Sequence, residues 1–352
     1  MGIYIKGMGN ISPQNSWRDT PLLANPIDYT GDRLKCIEPD YSQFVDVKQL
    51  RRMSRIIKMG VAAGAMALRE AGLNTPNGII TGTSYGCLED TGIFLSKMIE
   101  NNENALNPTP FIQSTHNTIG SQIALLLQCQ GYNQTYTQRA FSFENALIDA
   151  LLDLKDNPEQ SILAGGVDEI TDFSHELQKR FGIFRRKSSS SLNLFKEQDR
   201  GTLNGEGAAY VVLSGIRGEG NAICLDSVET FYKPLKTTFR EKIQAFLESA
   251  ELKADEIDLL MIGKSGDKTW DMESDKISSS LFSSSSIGVF KHLCGEYPTA
   301  SAFALWLSVS IMKDKKLPDV VLQKDCSRPP NNVLIYNSYF GKYHSLILLR
   351  TC

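Results

Sequence analysis

With 352 residues, 41% of them hydrophobic and 22% charged, the chain has the makeup of an ordinary globular protein, large enough for two lobes and too apolar to be disordered. A formal net charge of −3 gives no global electrostatic case for binding nucleic acid or an anionic membrane. No uninterrupted apolar run approaches the roughly 18 residues of a spanning helix.

Residues 1–7 read as a strand entering a glycine turn, without the basic-then-apolar profile of a signal peptide, so a cytoplasmic protein is expected. Residues 50–71 predict a helix. Met53, Ile56, Ile57, Val61 and Leu68 share it with Gly60, Ala62, Ala63, Gly64, Ala65 and Ala67, small residues that let neighbours approach closely on several sides. Residues 107–120 read as a loop with a proline turn leading into a core helix. Residues 140–154 predict a second helix, and 210–213 a central strand. Glycines at 215–220 mark a loop. Beyond it come a strand at 222–227, a helix at 238–250, a strand at 259–262, a helix at 300–311, and closing strands at 333–338 and 345–349. This alternation indicates an α/β architecture with helices covering sheets. Two serine tracts, 188–191 and 278–286, are predicted to be solvent loops. Seven cysteines (Cys36, Cys87, Cys129, Cys224, Cys294, Cys326, Cys352) show no Cys-x-x-Cys pair and no histidine at ligand spacing. They are expected to be thiols in a reducing compartment, with no metal site.

Several separate motifs carry a resemblance. Gln49-Leu50-Arg51-Arg52-Met53-Ser54-Arg55 precedes the alanine-rich helix, and Ile80-Thr81-Gly82-Thr83-Ser84-Tyr85-Gly86 forms a strand ending in a Gly-Thr loop. Leu163-Ala164-Gly165-Gly166-Val167-Asp168-Glu169 and Asp199-Arg200-Gly201, followed by Leu203-Asn204-Gly205-Glu206-Gly207-Ala208-Ala209, complete the set. In this order and spacing they resemble the β-ketoacyl-acyl-carrier-protein synthases, the ketosynthases of the thiolase superfamily. The resemblance implies a thiolase-like five-layered α-β-α-β-α fold made of two similar βαβαβ-type halves, 1–215 and 216–352, within one compact unit.

The same register takes the catalytic positions one at a time. Gln138-Arg139-Ala140-Phe141-Ser142 puts Ala140 where the family has its nucleophilic cysteine. Met261-Ile262-Gly263-Lys264-Ser265-Gly266 puts Ile262 at the first catalytic histidine. Lys291-His292-Leu293-Cys294-Gly295-Glu296 retains the family's lysine as Lys291 and puts Glu296 at the second histidine. A methyl group cannot attack a thioester, isoleucine neither donates nor accepts a hydrogen bond, and an ionised Glu296 would add negative charge where the transition state develops it. No catalytic set is intact. Asn337-Ser338-Tyr339-Phe340-Gly341-Lys342-Tyr343-His344 stands for the family's glycine-rich gate, which is therefore expected to be rebuilt. Phe141, Ser142, Phe340, Gly341, Lys342 and His344 are expected around the pocket.

Ser142 reads either as a substitute nucleophile or as a helix start, and His292 or His344 as a replacement imidazole or as residues outside the register. The resemblance implies that segment 107–120 crosses a dimer interface through Phe111, Ile112, His116 and Asn117. A basic group (Lys179, Arg180, Arg185, Arg186, Lys187) reads either as a solvated face or as a dock for an acidic acyl carrier protein, centred on Arg185, Arg186 and Lys187. The expected function is that of a catalytically silent subunit resembling a chain-length factor. It would pair with an active ketosynthase in fatty acid, polyketide or polyene biosynthesis, with no cofactor, nucleic acid or membrane involved. The alternatives are a divergent active 3-oxoacyl-carrier-protein synthase or acyltransferase and a homodimeric acyl-binding or scaffold protein.

Overall fold

The computed structural model describes residues 2–17, 21–186, 189–197, 199–218 and 222–352. The main sheet contains, in chain order, β1 (Ile3–Ile11), β2 (Gly78–Gly82), β3 (Tyr132–Tyr136), β4 (Ser161–Asp168), β5 (Gly207–Ser214), β6 (Ile223–Tyr232), β7 (Leu259–Gly263), β8 (Ser286–Val289), β9 (Leu322–Lys324), β10 (Asn332–Tyr339) and β11 (Tyr343–Thr351). The principal helices are α1 (Arg55–Ala71), α2 (Leu88–Glu100), α3 (Thr118–Leu127), α4 (Ser142–Asp156), α5 (Asp172–Arg180), α6 (Lys236–Ser249), α7 (Lys268–Leu281) and α8 (Ala300–Asp314).

Strand order is β9-β8-β7-β10-β11-β6-β1-β5-β4-β2-β3. One half of it runs β1-β5-β4-β2-β3 and the other β6-β11-β10-β7-β8, with β9 added at the edge. Outward from the junction, each half pairs antiparallel, antiparallel, parallel and parallel. The chain is thus built from two similar units, joined where Ile3 faces Leu225 and Tyr4 faces Cys224.

Side chains alternate across a strand, and that alternation generates the layers. In β7, Leu259 and Met261 enter a central core while Leu260 and Ile262 enter an outer core beneath α6 and α7. In β5, Val211 and Leu213 face the centre while Tyr210 and Val212 meet α1 and α3. The middle layer is α4 with α8, whose Phe303, Leu305, Leu307 and Val309 are all buried, as befits a helix apolar on every face. The sequence α1/α3, half-sheet, α4/α8, half-sheet, α6/α7 is the expected five-layered arrangement.

Several local expectations change. The first long helix begins at Arg55 because Ser54 is extended, and it stops where Gly72 adopts φ 68°. The serine tract at 278–286 is not a solvent loop: its start belongs to α7, where the Ser278 and Ser279 hydroxyls donate to the Asp275 carbonyl, and Ser285 and Ser286 are buried. Ser189–Ser190 pairs with Thr30–Gly31, and Ser191 is buried; Ser188 lies outside the described residues. Cys224 and Cys352 are not free thiols but a disulfide. Among the described residues no helix is long and apolar enough to cross a membrane.

Candidate functional site

β3 leads into a 3-10 turn, Arg139–Phe141, and then into α4. The bend falls on Arg139, at φ 51°, and leaves Ala140 only 2% exposed. The Phe141 ring meets Tyr343 edge-on at 5.1 Å. The Ser142 hydroxyl donates to the Arg139 carbonyl at 2.7 Å, so it closes the turn at the start of α4. This geometry favours the helix-start role.

Lys291 opens the short helix Lys291–Cys294 and Glu296 follows it, with Gly295, at φ 77°, turning the chain between them. Lys291 Nζ donates to both Glu296 oxygens, at 2.7 and 2.8 Å, and to the Ser338 carbonyl at 2.8 Å. Both side chains are fully buried. Burial pushes the Glu296 carboxyl up to about 7, against the opposing pull of the Lys291 charge. The position expected to oppose a developing anion is thus neutralised by its own counter-ion. Glu296 shares a cavity of about 10 Å³ with Tyr85, Asp168, Glu169, Asn204 and Tyr339, room for about one water molecule.

Ile262 does not join this group, contrary to its expected place. It is an outward residue of β7, packed with Leu260, Tyr336 and Phe239. The next residue, Gly263, faces Asn337 of β10, and a Cβ on it would lie 2.2 Å from Asn337 Oδ1. The space beside β7 that a side chain would need is therefore already filled.

The histidines are also placed elsewhere. His344 alternates to the outer face, where its Nδ1 lies 2.9 Å from the Tyr336 hydroxyl and its ring meets Phe239 at 4.9 Å. It lines an outer cleft with Trp270, Phe340, Gly341 and Lys342, not the cavity at Glu296. His292 Nε2 lies 2.8 Å from the Val320 carbonyl. Neither histidine lines the cavity at Glu296.

The expected gate is a tight hairpin. Tyr339 pairs with Tyr343, Lys342 N–H donates to the Tyr339 carbonyl at 3.1 Å, and Phe340 and Gly341 hold φ 53° and 61°. Glycine tolerates this left-handed region; phenylalanine rarely enters it. Packing holds Phe340 there, with ring centroids 4.9 Å from Trp270 and 3.9 Å from Tyr339.

Other buried carboxyls surround the site. Asp168 accepts from the backbone N–H of Ser84 and Tyr85 and from the Thr83 and Thr299 hydroxyls. Burial nevertheless raises it to about 6, Glu144 to about 7 and Glu169 to about 8. Because these folded-state values exceed the ordinary ones, the native chain holds extra protons and its stability falls as pH rises through them. His292 and His344, held down to about 4 by burial, work in the other sense, but only below their ordinary value of 6.5. From about pH 6.5 to about 8 the carboxyls dominate. The urea midpoint is therefore expected to decline over that window, and Glu169→Gln to flatten the decline; a midpoint rising with pH would contradict this assignment.

On the surface, Phe111 and Ile112 are 56% and 65% exposed, beside Phe94, whose ring lies 5.0 Å from Phe111. His116 and Asn117, which follow in the chain, are exposed, and Ile93, Leu95, Ile99 and Leu125 are further exposed apolar side chains on α2 and α3. Among the described residues β3, at one end of the strand order, has a single strand neighbour. The expected basic dock changes. Arg185 is 2% exposed and donates to the carbonyls of Leu194, Glu197 and Gly266, so it fastens loops inside the molecule. Arg186 is exposed and shares a cleft with Arg180, Phe181 and Arg200; Lys187 lies outside the described residues. Among the described residues no group of three or more His, Cys, Asp or Glu could hold a metal ion.

A family model described as "Beta-ketoacyl synthase, N-terminal domain" matches residues 13–216, more than half of the chain. No curated protein matches. Among solved structures, the ishigamide ketosynthase/chain length factor superposes with a TM-score of 0.83 at 18% identity, covering 100% of this chain and 99% of that chain. A β-ketoacyl synthase from Burkholderia phymatum STM815 gives 0.77 at 18%, with 100% and 99% covered. A ketosynthase in complex with its chain length factor from Xenorhabdus doucetiae gives 0.75 at 16%, with 100% and 98% covered. At these identities the likeness is one of fold, the thiolase-like architecture of the ketosynthases.

Proposed function

Because the chain belongs to the β-ketoacyl synthase family, we propose that it is a catalytically silent member, resembling a chain-length factor, that pairs with a cysteine-bearing ketosynthase. The observation that carries this reading is the Lys291–Glu296 pair, buried beside a cavity of about 10 Å³, together with Ala140 at the position where the resemblance puts the family's nucleophile. Condensation needs an activated nucleophile and donors aimed at an oxyanion. Here the strongest donor, Lys291, is committed to a carboxylate and a carbonyl.

What persists is surface. The apolar face around Phe111 and Ile112, and the edge strand β3 packed against α3, suit a self-complementary interface inherited from a symmetric dimer and turned toward a related subunit. The structural neighbours include a ketosynthase with its chain length factor, and another is described as an acyl carrier protein in complex with its ketosynthase, which supports the same assembly for this chain. The cleft of Arg180, Arg186 and Arg200 is the surface that would meet an acidic carrier. In such a pair the silent subunit forms pocket wall in polyketide, polyene or fatty acid assembly.

The purified chain is expected neither to decarboxylate malonyl carrier protein nor to condense it with an acyl carrier. Ala140→Cys is expected to remain inactive, since a thiol alone restores no donor. Turnover that survives repurification, in either protein, would overturn the silent reading.

A further inference from the structure

Cys224 and Cys352 stand 128 residues apart in the chain, yet their Cα atoms are 6.3 Å apart. They meet at the junction of the two half-sheets. Cys224, near the start of β6, faces Tyr4 of β1 on one side and Arg350 of β11 on the other. Thr351 faces Ile223, Cys352 N–H donates to the Ala222 carbonyl at 2.8 Å, and the Arg217 guanidinium donates to the Cys352 carbonyl at 2.7 Å. These contacts hold Cys352 beside Cys224 by backbone pairing, independently of the sulfur bond. Cys224 is buried and Cys352 exposed, while the other five cysteines are unpaired.

We propose that Cys224 and Cys352 form a redox latch across this seam, closed by exchange with a small-molecule disulfide. The exposed Cys352, having lost its proton to solvent, attacks one sulfur of that disulfide and expels a thiolate. The Cys224 thiolate then attacks the Cys352 sulfur of the mixed disulfide and expels the second thiolate. Two protein thiols are oxidised to one disulfide, one small disulfide is reduced to two thiols, and the released protons protonate the leaving groups. Closure encircles nearly the whole second half of the chain and ties β11 to the strand that holds the halves together. It thereby restricts the unfolded chain over a long loop. A small thiol reverses it through the exposed sulfur.

The test treats the full chain with oxidised glutathione or with dithiothreitol, alkylates it, and maps its peptides beside thermal unfolding. Expected are a Cys224–Cys352 linked peptide after oxidation, alkylation of both residues after reduction, and a Tm higher by roughly 5 °C in the oxidised protein. Cys352→Ser changes an exposed position. It is expected to unfold like the reduced protein under both conditions, and Cys224→Ala is expected likewise to lose the redox dependence. The proposal is overturned by the absence of the linked peptide, by linkage to a different cysteine, by equal Tm values in the two states, or by redox dependence persisting in Cys352→Ser.

Discussion

Replacing Lys291 by methionine is expected to lower the free energy of unfolding by about 3–5 kcal/mol at pH 8, the cost of stranding a buried partner charge. Methionine fills similar space but leaves Glu296 without its two short bonds and the Ser338 carbonyl without its donor. The loss is expected to shrink at pH 5. Glu296, already raised by burial, is then protonated in the folded chain, and the unfolded chain gains less from ionising its own carboxyl. The double variant Lys291→Met with Glu296→Leu is expected to recover most of the stability, since removing both charges of a buried pair is far cheaper than removing one. Urea unfolding of the three proteins at both pH values measures this. A single variant within about 1 kcal/mol of the parent would mean that the pair does not hold the closed site together.

Ile112→Asp is expected to reduce association with a co-expressed ketosynthase by at least about 100-fold, the scale of losing a central apolar anchor while burying a charge at an interface. The substitution should hardly alter the isolated fold, because Ile112 is 65% exposed there and such positions tolerate change within about 0.5 kcal/mol. Ile216→Asp, at a residue 55% exposed on another part of the surface, is the matched control and should assemble like the parent. Co-purification and sedimentation at several concentrations distinguish the two. Unchanged assembly of Ile112→Asp would move the interface away from the 107–120 segment.

Much of the frame was legible in the sequence because dense apolar and small-residue patterns mark deeply buried helices. Residues 55–71 and 300–314 are the examples, and both elements were expected. β3 was not expected, because Tyr132-Asn133-Gln134-Thr135-Tyr136 lies at the sheet edge and carries few aliphatic side chains. Helix α5 was missed because it buries only His175 and leaves Phe173 and Leu177 outward, so its pattern does not read as a core face. At the site, motif order sets the proposed register of Ala140 and Glu296, whereas strand geometry turns Ile262 into the outer core, away from Glu296. All five residues of β7 are buried, so the run of apolar residues hides which face each one takes, and a displacement of one residue exchanges the faces. The burial of Arg185 carries no local signal, since arginine is ordinarily a surface residue and its carbonyl partners Leu194, Glu197 and Gly266 come from two separate segments. The pairing of Cys224 with Cys352 is equally invisible at a separation of 128 residues.

Gly263 couples two strands through a missing side chain. A Cβ there would lie 2.2 Å from Asn337 Oδ1, so any larger residue at 263 requires the Asn337 side chain or β10 to move with it. On the function proposed above, installing chemistry in this chain is therefore a concerted problem: a thiol at position 140 has no partner to activate it, and a group placed at 263 must first be given room.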